Sequence, residues 1–230
     1  MRYRQSRLMG VSSDREPNRQ LSDRLVEVAC RPLPTELGES SMISYHTRNA
    51  GDIAESAEEQ FEVLRDACGF VPADVALMAD SPALVNTFFS ACGHFRDEGT
   101  FAPDEQQVLL LSNAVANRSE WAVAFHTMEA LAEGVEPSAV EAIRQGMLPK
   151  NRRMAALSSF TQSVIELRGQ VDEAEVAAFQ AAGFTSAQVL EVITAVAISA
   201  MSNYVTNIAR PPLEDAAVPH SWNARELTGF

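Results

Sequence analysis

Helix-start signals recur along this 230-residue chain, and they constrain its fold more than any other feature. A capping box places Glu or Gln three positions after a small polar residue and so begins a helix. Asp172 with Glu175 and Thr185 with Gln188 fit this pattern. Pro82 directly after Ser81 is a second kind of start, because proline is tolerated at the first helical position. No segment alternates apolar and polar residues as a strand does. The sequence therefore predicts an all-α fold.

Caps and apolar spacing together set the expected helices. They cover residues 56–68, 71–78, 103–116, 118–134, 138–145, 152–167 and 185–208, with further starts at 82 and 172. The last long helix has apolar side chains at helical spacing, which predicts that it forms the centre of the bundle. These side chains are Val189, Val192, Ile193, Val196, Ala197, Ala200, Tyr204 and Ile208.

The ends of the chain differ from its middle. Residues 1–41 mix Arg, Ser, Pro and acidic residues with little periodicity, which indicates a disordered tail or an over-extended start, with Met42 as an alternative first residue. A helical domain is expected over residues 42–215. Residues 216–230 are expected to form an extended C-terminal segment that lies across a neighbouring subunit.

Charge and hydropathy exclude two classes of partner. The net charge of −13 opposes binding to a phosphate backbone, so nucleic acid is not an expected partner. No apolar run reaches 18 residues, and Glu191, Thr194 and Ser199 interrupt the most apolar segment, which favours a core helix over a membrane span. The Arg-rich N-terminus lacks the apolar region of a secretory signal. We expect a cytoplasmic protein.

The three cysteines do not form a recognisable site. Cys30, Cys68 and Cys92 are far apart in sequence, and no Cys-x-x-Cys pair occurs. This spacing fits neither a zinc signature nor a disulfide framework, and no metal is expected. Small buried thiols are common near helix ends, so we expect each cysteine to be structural.

The segment from Asn117 to His126 resembles the start of a redox helix that lacks sulfur. Asn117 and Glu120 predict a capping box, with Ser119 as the second residue of the helix. A thiol at this position would have a lowered pKa, because unpaired amides and the helix dipole stabilise a thiolate there, whereas a hydroxyl gains far too little. Ser119, Ala122 and His126 are expected to project from one helical face.

This pattern resembles the carboxymuconolactone decarboxylase and alkylhydroperoxidase D family, and its peroxidase-related branch in particular. Peroxidase members carry Glu about a dozen residues before Cys-x-x-Cys-x-x-x-His. Gln107 stands here at the Glu position, Ser119 and Ala122 at the two Cys positions, and His126 at the His. The resemblance runs from about residue 60 to 215. It includes Gly69-Phe70-Val71-Pro72, Asp80-Ser81-Pro82-Ala83-Leu84, Ala182-Gly183-Phe184-Thr185 and Asn203-Tyr204-Val205-Thr206.

The resemblance implies an alkylhydroperoxidase D-like multi-helix bundle that assembles into a homotrimer or homohexamer. Phe88, Phe89, Phe95 and Phe101 lie close together and belong either to the core or to a contact between subunits. A dithiol peroxidase relay is not expected, since both sulfurs are missing and Gln107 cannot carry a proton as Glu would. The decarboxylase branch implies acid–base catalysis without a cofactor.

His126 is the candidate acid or base, because an imidazole titrates near neutrality. Its alternative role is a structural histidine, buried against a subunit neighbour. Ser119 and Gln107 complete the candidate catalytic set. Arg118 is a candidate for holding a carboxylate, or else a solvated surface residue, and Trp121 is a candidate pocket wall, or else core.

The expected substrate is a small carboxylic acid or lactone, and the expected reaction is of the lyase, decarboxylase or isomerase type. A catalytically degenerate binding or assembly protein is the alternative. Residual alkylhydroperoxidase-type activity that uses Cys68 or Cys92 is a third hypothesis.

Overall fold

The computed structural model describes residues 61–227 except for positions 63, 67 and 68. The tail at 1–41, the helix start near Ser56, Cys30 and Cys68 lie outside the described residues. Residues 61, 62 and 64–66 are helical. The α-helices that follow are α1 (Ala73–Met78), α2 (Pro82–Glu98), α3 (Pro103–Ala116), α4 (Glu120–Ala132), α5 (Pro137–Arg144), α6 (Arg152–Glu166), α7 (Glu173–Ala181) and α8 (Ser186–Ala209). All regular structure in this part of the chain is helical, which confirms the all-α prediction.

The helix starts follow the predicted caps. The Ser81 hydroxyl accepts a hydrogen bond from the Leu84 amide at the start of α2. At α7 and α8 the capping boxes are reciprocal: Asp172 and Thr185 each accept from the amide three residues on, and Glu175 and Gln188 accept from the cap amides. Each box satisfies two helical amides without a tertiary partner. Local sequence is therefore sufficient to set these boundaries.

Helix α3 is the enclosed centre of the bundle. It packs against α4, α6 and α8. Its core residues have no exposed surface: Val108, Leu109, Leu111, Ala114 and Val115. The last long helix, α8, contacts α1, α2, α3, α4 and α6, in keeping with the expected central position, but one of its sides is exposed.

The two sides of α8 differ in part from the predicted arrangement, since Val192, Val189 and Val196 of the predicted stripe do pack on the core. Val192, Ala195 and Ile198 are buried, and the rest of the buried side is polar: Gln188, Ser199, Ser202, Asn203 and Thr206. Large apolar residues of the predicted stripe face outward instead, with Ile193 52 %, Tyr204 56 % and Ile208 66 % exposed. The inward polar groups are tolerated because most of them form hydrogen bonds to other parts of the bundle. Among the described residues, α8 is the one helix long and apolar enough to cross a membrane.

The corner between α3 and α4 also differs from the prediction. Asn117 ends α3, and Ser119 is the N-cap of α4, so the predicted capping box of Asn117 with Glu120 is wrong. Arg118 lies between them with φ 53°, and the amides of Arg118 and Ser119 bond to Val115 O and Ala114 O. This is a Schellman motif, which ends one helix before the next begins. Ser119 is therefore a capping residue and not the second residue of the helix.

The C-terminal segment packs on its own bundle. Trp222 Nε1 donates to Arg144 O at 2.9 Å, and the Arg144 guanidinium donates to His220 O and Ser221 O. The segment contains two short 3-10 turns, Val218–His220 and Ala224–Glu226. Polar contacts to α5 hold the segment on its own bundle up to residue 227, and its contact with a neighbouring subunit stays a prediction.

The clustered phenylalanines belong mainly to the core. Phe88, Phe95 and Phe101 are buried, and Phe89 is partly buried and packs edge-on against Phe88. Phe101 packs on Phe184 at the start of α8. One subunit therefore buries most of this aromatic surface.

Candidate functional site

A cavity of about 410 Å³ lies between α1, α2, α3, α4 and α8, and we call it the histidine cavity. Much of its wall is apolar, formed by Leu64, Val75, Phe88, Phe89, Leu110, Phe125 and Ile198. Its polar groups are Asp74, Cys92, Arg96, Gln107, His126, Glu129, Ser199 and Ser202. An apolar pocket with a few convergent polar groups is the usual form of a small-molecule site.

His126 lies in this wall and is held by Gln107. Its Nδ1 lies 3.3 Å from Gln107 Oε1, and the edge of its ring packs against Phe125. Burial lowers the pKa of His126 to about 4. The imidazole is therefore neutral at physiological pH. With the Gln107 oxygen as acceptor, Nδ1 carries the proton and Nε2 keeps a lone pair.

Asp74 is a buried carboxyl group in the same wall. It accepts hydrogen bonds from Ser202 Oγ at 2.6 Å and from the Val75 amide at 2.8 Å. Burial raises the pKa of Asp74 to about 6, against the opposing effect of these hydrogen bonds, and the charge of Glu214 adds to the rise. The group therefore titrates close to physiological pH, as acid–base residues of active sites often do.

Cys92 brings a thiol to the cavity, next to Arg96 and Gly93. Burial, followed by the charge of Asp74, raises the pKa of Cys92 to about 12. The nucleophilic form of cysteine is the thiolate. At neutral pH this residue is a protonated, weakly reactive thiol.

Three more groups complete the polar wall. The buried Ser199 hydroxyl has no hydrogen-bond partner among the described residues, and it lines the cavity. Arg96 is the one cationic side chain among the described residues that line the cavity, and it also pairs with Asp97. Burial, followed by the charge of Glu133, raises the pKa of Glu129. Ser199 and Arg96 offer a hydroxyl donor and a positive charge to a bound molecule.

The structure brings together only some of the candidate residues. Gln107 and His126 share the histidine cavity, whereas Arg118 and Trp121 line a separate cleft with Arg210 and Arg225. Ser119 is fully buried, caps α4 through the Ala122 amide and lies 2.9 Å from Thr206 Oγ1. Ala122 is also fully buried. Ser119 precedes the helix as its N-cap, and neither Ser119 nor Ala122 lines the cavity.

Asp74, Arg96 and Ser199 were missed by sequence reasoning. Asp74 in the first turn of α1 has the pattern of an ordinary helix-start acid, and its partner Ser202 is 128 residues away. Within the described residues, no group of three His, Cys, Asp or Glu side chains is arranged to hold a metal ion. No local pattern in the sequence would have marked Asp74, Arg96 or Ser199 as members of this wall.

Several solved structures have the same fold. The uncharacterized peroxidase-related protein from Ralstonia eutropha JMP134, described as an alkylhydroperoxidase D core, is 20 % identical, with a TM-score of 0.68 over 77 % of this chain and 95 % of that one. A peroxidase-related protein from Silicibacter sp. TM1040 is 14 % identical, with a TM-score of 0.64 over 80 % and 96 %.

The debrominase Bmp8, in a cysteine-to-alanine variant bound to 2,3,4-tribromopyrrole, is also 14 % identical, with a TM-score of 0.66 over 79 % and 97 %. No family model matches the chain, and no curated protein does. The structural matches confirm the alkylhydroperoxidase D-like fold that the sequence resemblance implied.

Proposed function

We propose that this chain, whose fold is that of the alkylhydroperoxidase D core, is an enzyme that moves protons on a small carboxylic acid or lactone in the histidine cavity. The reaction class is lyase, decarboxylase or isomerase, without a cofactor. The observation that carries the proposal is a neutral imidazole, positioned by Gln107, in the wall of a largely apolar cavity. A small cyclic compound suits such a wall, and the neighbour of this fold bound to 2,3,4-tribromopyrrole agrees with an occupant of that size.

The substrate's oxygen atoms require donors, and two groups supply them. Ser199 Oγ is buried without a partner among the described residues and is therefore available to donate to a carbonyl oxygen. Arg96 adds a positive charge at the same wall. Arg118, the carboxylate holder expected from the sequence, does not line this cavity, so Arg96 takes that role in the proposal.

The proton path begins at His126. Nε2 accepts the proton from the carbon next to the substrate carbonyl, and the C–H electron pair forms the C=C bond of an enolate. The negative charge moves to the carbonyl oxygen, where Ser199 and Arg96 stabilise it. The imidazolium is a strong acid in this setting, so it returns the proton to a second carbon and completes an isomerisation. In a decarboxylation of the neutral acid, Nε2 takes the carboxyl proton, the C–C bond breaks to release CO₂, and the electron pair left on carbon takes that proton back from the imidazolium.

The test follows absorbance changes in a panel of small unsaturated acids and lactones. We expect turnover by the wild type and a loss of about 100-fold or more in kcat/KM for His126→Gln, a typical cost of removing a general base. His94→Gln is the matched control, because His94 is exposed on α2, pairs with Glu98 and does not line the cavity. Circular dichroism confirms that both variants fold.

Two outcomes would contradict the proposal. Full activity of His126→Gln would remove the histidine from the mechanism. Saturable ligand binding by the wild type without turnover across the panel would favour the alternative, a binding or assembly protein.

Cys92→Ser separates the proposal from residual peroxidase chemistry. At a thiol pKa of about 12, only about one molecule in 10⁵ carries a thiolate at neutral pH. The variant should keep wild-type turnover. Peroxide consumption that depends on Cys92 would favour the peroxidase hypothesis.

A further inference from the structure

We infer that the cleft lined by Arg118, Arg210 and Arg225 binds the phosphate group of a small molecule. This arginine cleft has a volume of about 500 Å³, and its other lining residues are Glu120, Trp121, Thr206, Asn207 and Pro211. It is separate from the histidine cavity, with which it shares no lining residue.

Three distant parts of the chain supply the three arginines. Arg118 follows α3, Arg210 ends α8, and Arg225 lies in the last 3-10 turn. The C-terminal segment is held in place by Trp222 and by the Ala224 amide, which donates to Glu120 Oε1 at 3.2 Å. The fold itself therefore brings the three arginines to one cleft.

The charge of the cleft is opposite to that of the chain. Three arginines and Glu120 give the lining a formal charge of 3 − 1 = +2, in a protein of net charge −13. No described carboxylate lies within 4.0 Å of the Arg210 or Arg225 guanidinium. A positive cleft in an acidic surface focuses anions toward itself.

Guanidinium geometry points to phosphate. The planar fork of arginine donates two parallel hydrogen bonds to phosphate oxygens, and several forks can share one tetrahedral group. A phosphate monoester carries a charge close to −2 above its second pKa of about 6, which balances the +2 of the lining. The remaining volume holds the organic part of a small ester.

The left-handed backbone of Arg210 allows a clean test. Arg210 has φ 49°, so Arg210→Gly removes the guanidinium while glycine adopts this conformation without strain. Arg168 has φ 53° and does not line the cleft. Arg168→Gly is therefore a matched control, because it removes the same charge and relieves the same strain of a left-handed backbone.

The probe is inorganic phosphate, titrated into the full chain by calorimetry at about pH 7.5, where it is mostly the dianion. We expect saturable binding by the wild type and by Arg168→Gly. Arg210→Gly and Arg225→Ala should each weaken binding by about tenfold or more, as expected for the loss of a charge-assisted hydrogen bond. Thermal melts check that each variant is folded.

Three results would overturn the inference: no saturable phosphate binding by the wild type, equal weakening in Arg168→Gly and Arg210→Gly, or binding of succinate as tight as that of phosphate. His126→Gln should bind phosphate as the wild type does. The inference about the arginine cleft can therefore be supported or contradicted independently of the proposed reaction.

Discussion

Asp74 and His126 face one cavity from two helices, and burial shifts their pKa values in opposite directions. The pKa of Asp74 rises from 3.8 to about 6, and that of His126 falls from 6.5 to about 4. Between pH 4 and 6 the native Asp74 keeps a proton that the unfolded chain releases, whereas native His126 lacks one that the unfolded chain binds. The two contributions to the pH dependence of stability therefore oppose each other.

Replacing either side chain should remove its own contribution to the pH dependence of stability and leave that of the other side chain. For Asp74→Asn, the free energy of unfolding relative to wild type should rise by roughly 2–3 kcal/mol from pH 4 to 6.5, because the destabilising ionisation of Asp74 is lost. For His126→Gln it should fall by a similar amount, because the increase that His126 provides on deprotonation is lost. Urea unfolding at several pH values measures both.

The two variants serve as controls for each other, since their free energies of unfolding relative to wild type should change with pH in opposite directions. Parallel curves for both variants and the wild type would show that these groups titrate normally. Glu129, Glu214, Cys92 and Arg96 also lie near this pair or line the same cavity, and they remain unchanged in both variants.

Some of the individual residues of the histidine cavity could be predicted from the sequence, and others could not. His126 and Gln107 could be found because a motif marks them. Asp74 and Ser199 could not, because their role depends on burial against distant helices. Arg118 and Trp121 are placed together, but in the arginine cleft and not beside His126.

Among the helices, Arg153 joins three parts of the bundle. Its guanidinium forms an ion pair with Glu105 of α3, donates to Gly183 O at 2.8 Å, and lies 3.9 Å from the centre of the Phe184 ring. Glu105 is nearly buried. A buried carboxylate that loses its counter-charge is costly.

Arg153→Ala should therefore lower the free energy of unfolding by about 2–3 kcal/mol. Arg152→Ala is the control, because this neighbouring arginine is exposed and has one long hydrogen bond, 3.5 Å to Ala181 O. The control should change stability by less than about 0.5 kcal/mol. Equal effects in urea unfolding would mean that the Glu105 contact contributes little.

Helix boundaries were predictable, and the orientation of α8 was not. Caps such as Asp172 and Thr185 act through neighbouring residues, so the sequence contains their signal. The buried side of α8 is decided by partners such as Asp74 and Ser119, which bond to Ser202 and Thr206. A pattern of apolar residues cannot reveal such partners, and the predicted stripe therefore mixed core residues such as Val192 with outward residues such as Ile193 and Ile208.

For the molecule as a whole, the outward side of α8 favours self-association. Leu190, Ile193, Tyr204 and Ile208 are each more than half exposed along one helix. Apolar patches of this kind usually mark an interface. We propose that this side joins copies of the chain into the trimer or hexamer expected from the sequence resemblance.

Light scattering should find a trimer or hexamer for the wild type and smaller species for Ile193→Glu, because a charge in an apolar contact is costly. Leu148→Glu is the control, since Leu148 is 50 % exposed and precedes α6. A monomeric wild type, or dissociation in the control alone, would refute this surface as the interface.

The Glu214 carboxylate bridges the walls of the histidine cavity and the arginine cleft. One carboxylate oxygen accepts from the Ala73 amide at 2.7 Å and the other from the Trp121 indole at 3.1 Å. Trp121 lines the arginine cleft and stacks on Phe125, while Ala73 precedes Asp74 in the wall of the histidine cavity. A displacement of the indole must either carry the start of α1 with it or break one of these bonds. Glu214 thus links the wall of the arginine cleft to the backbone beside Asp74 through a single carboxylate.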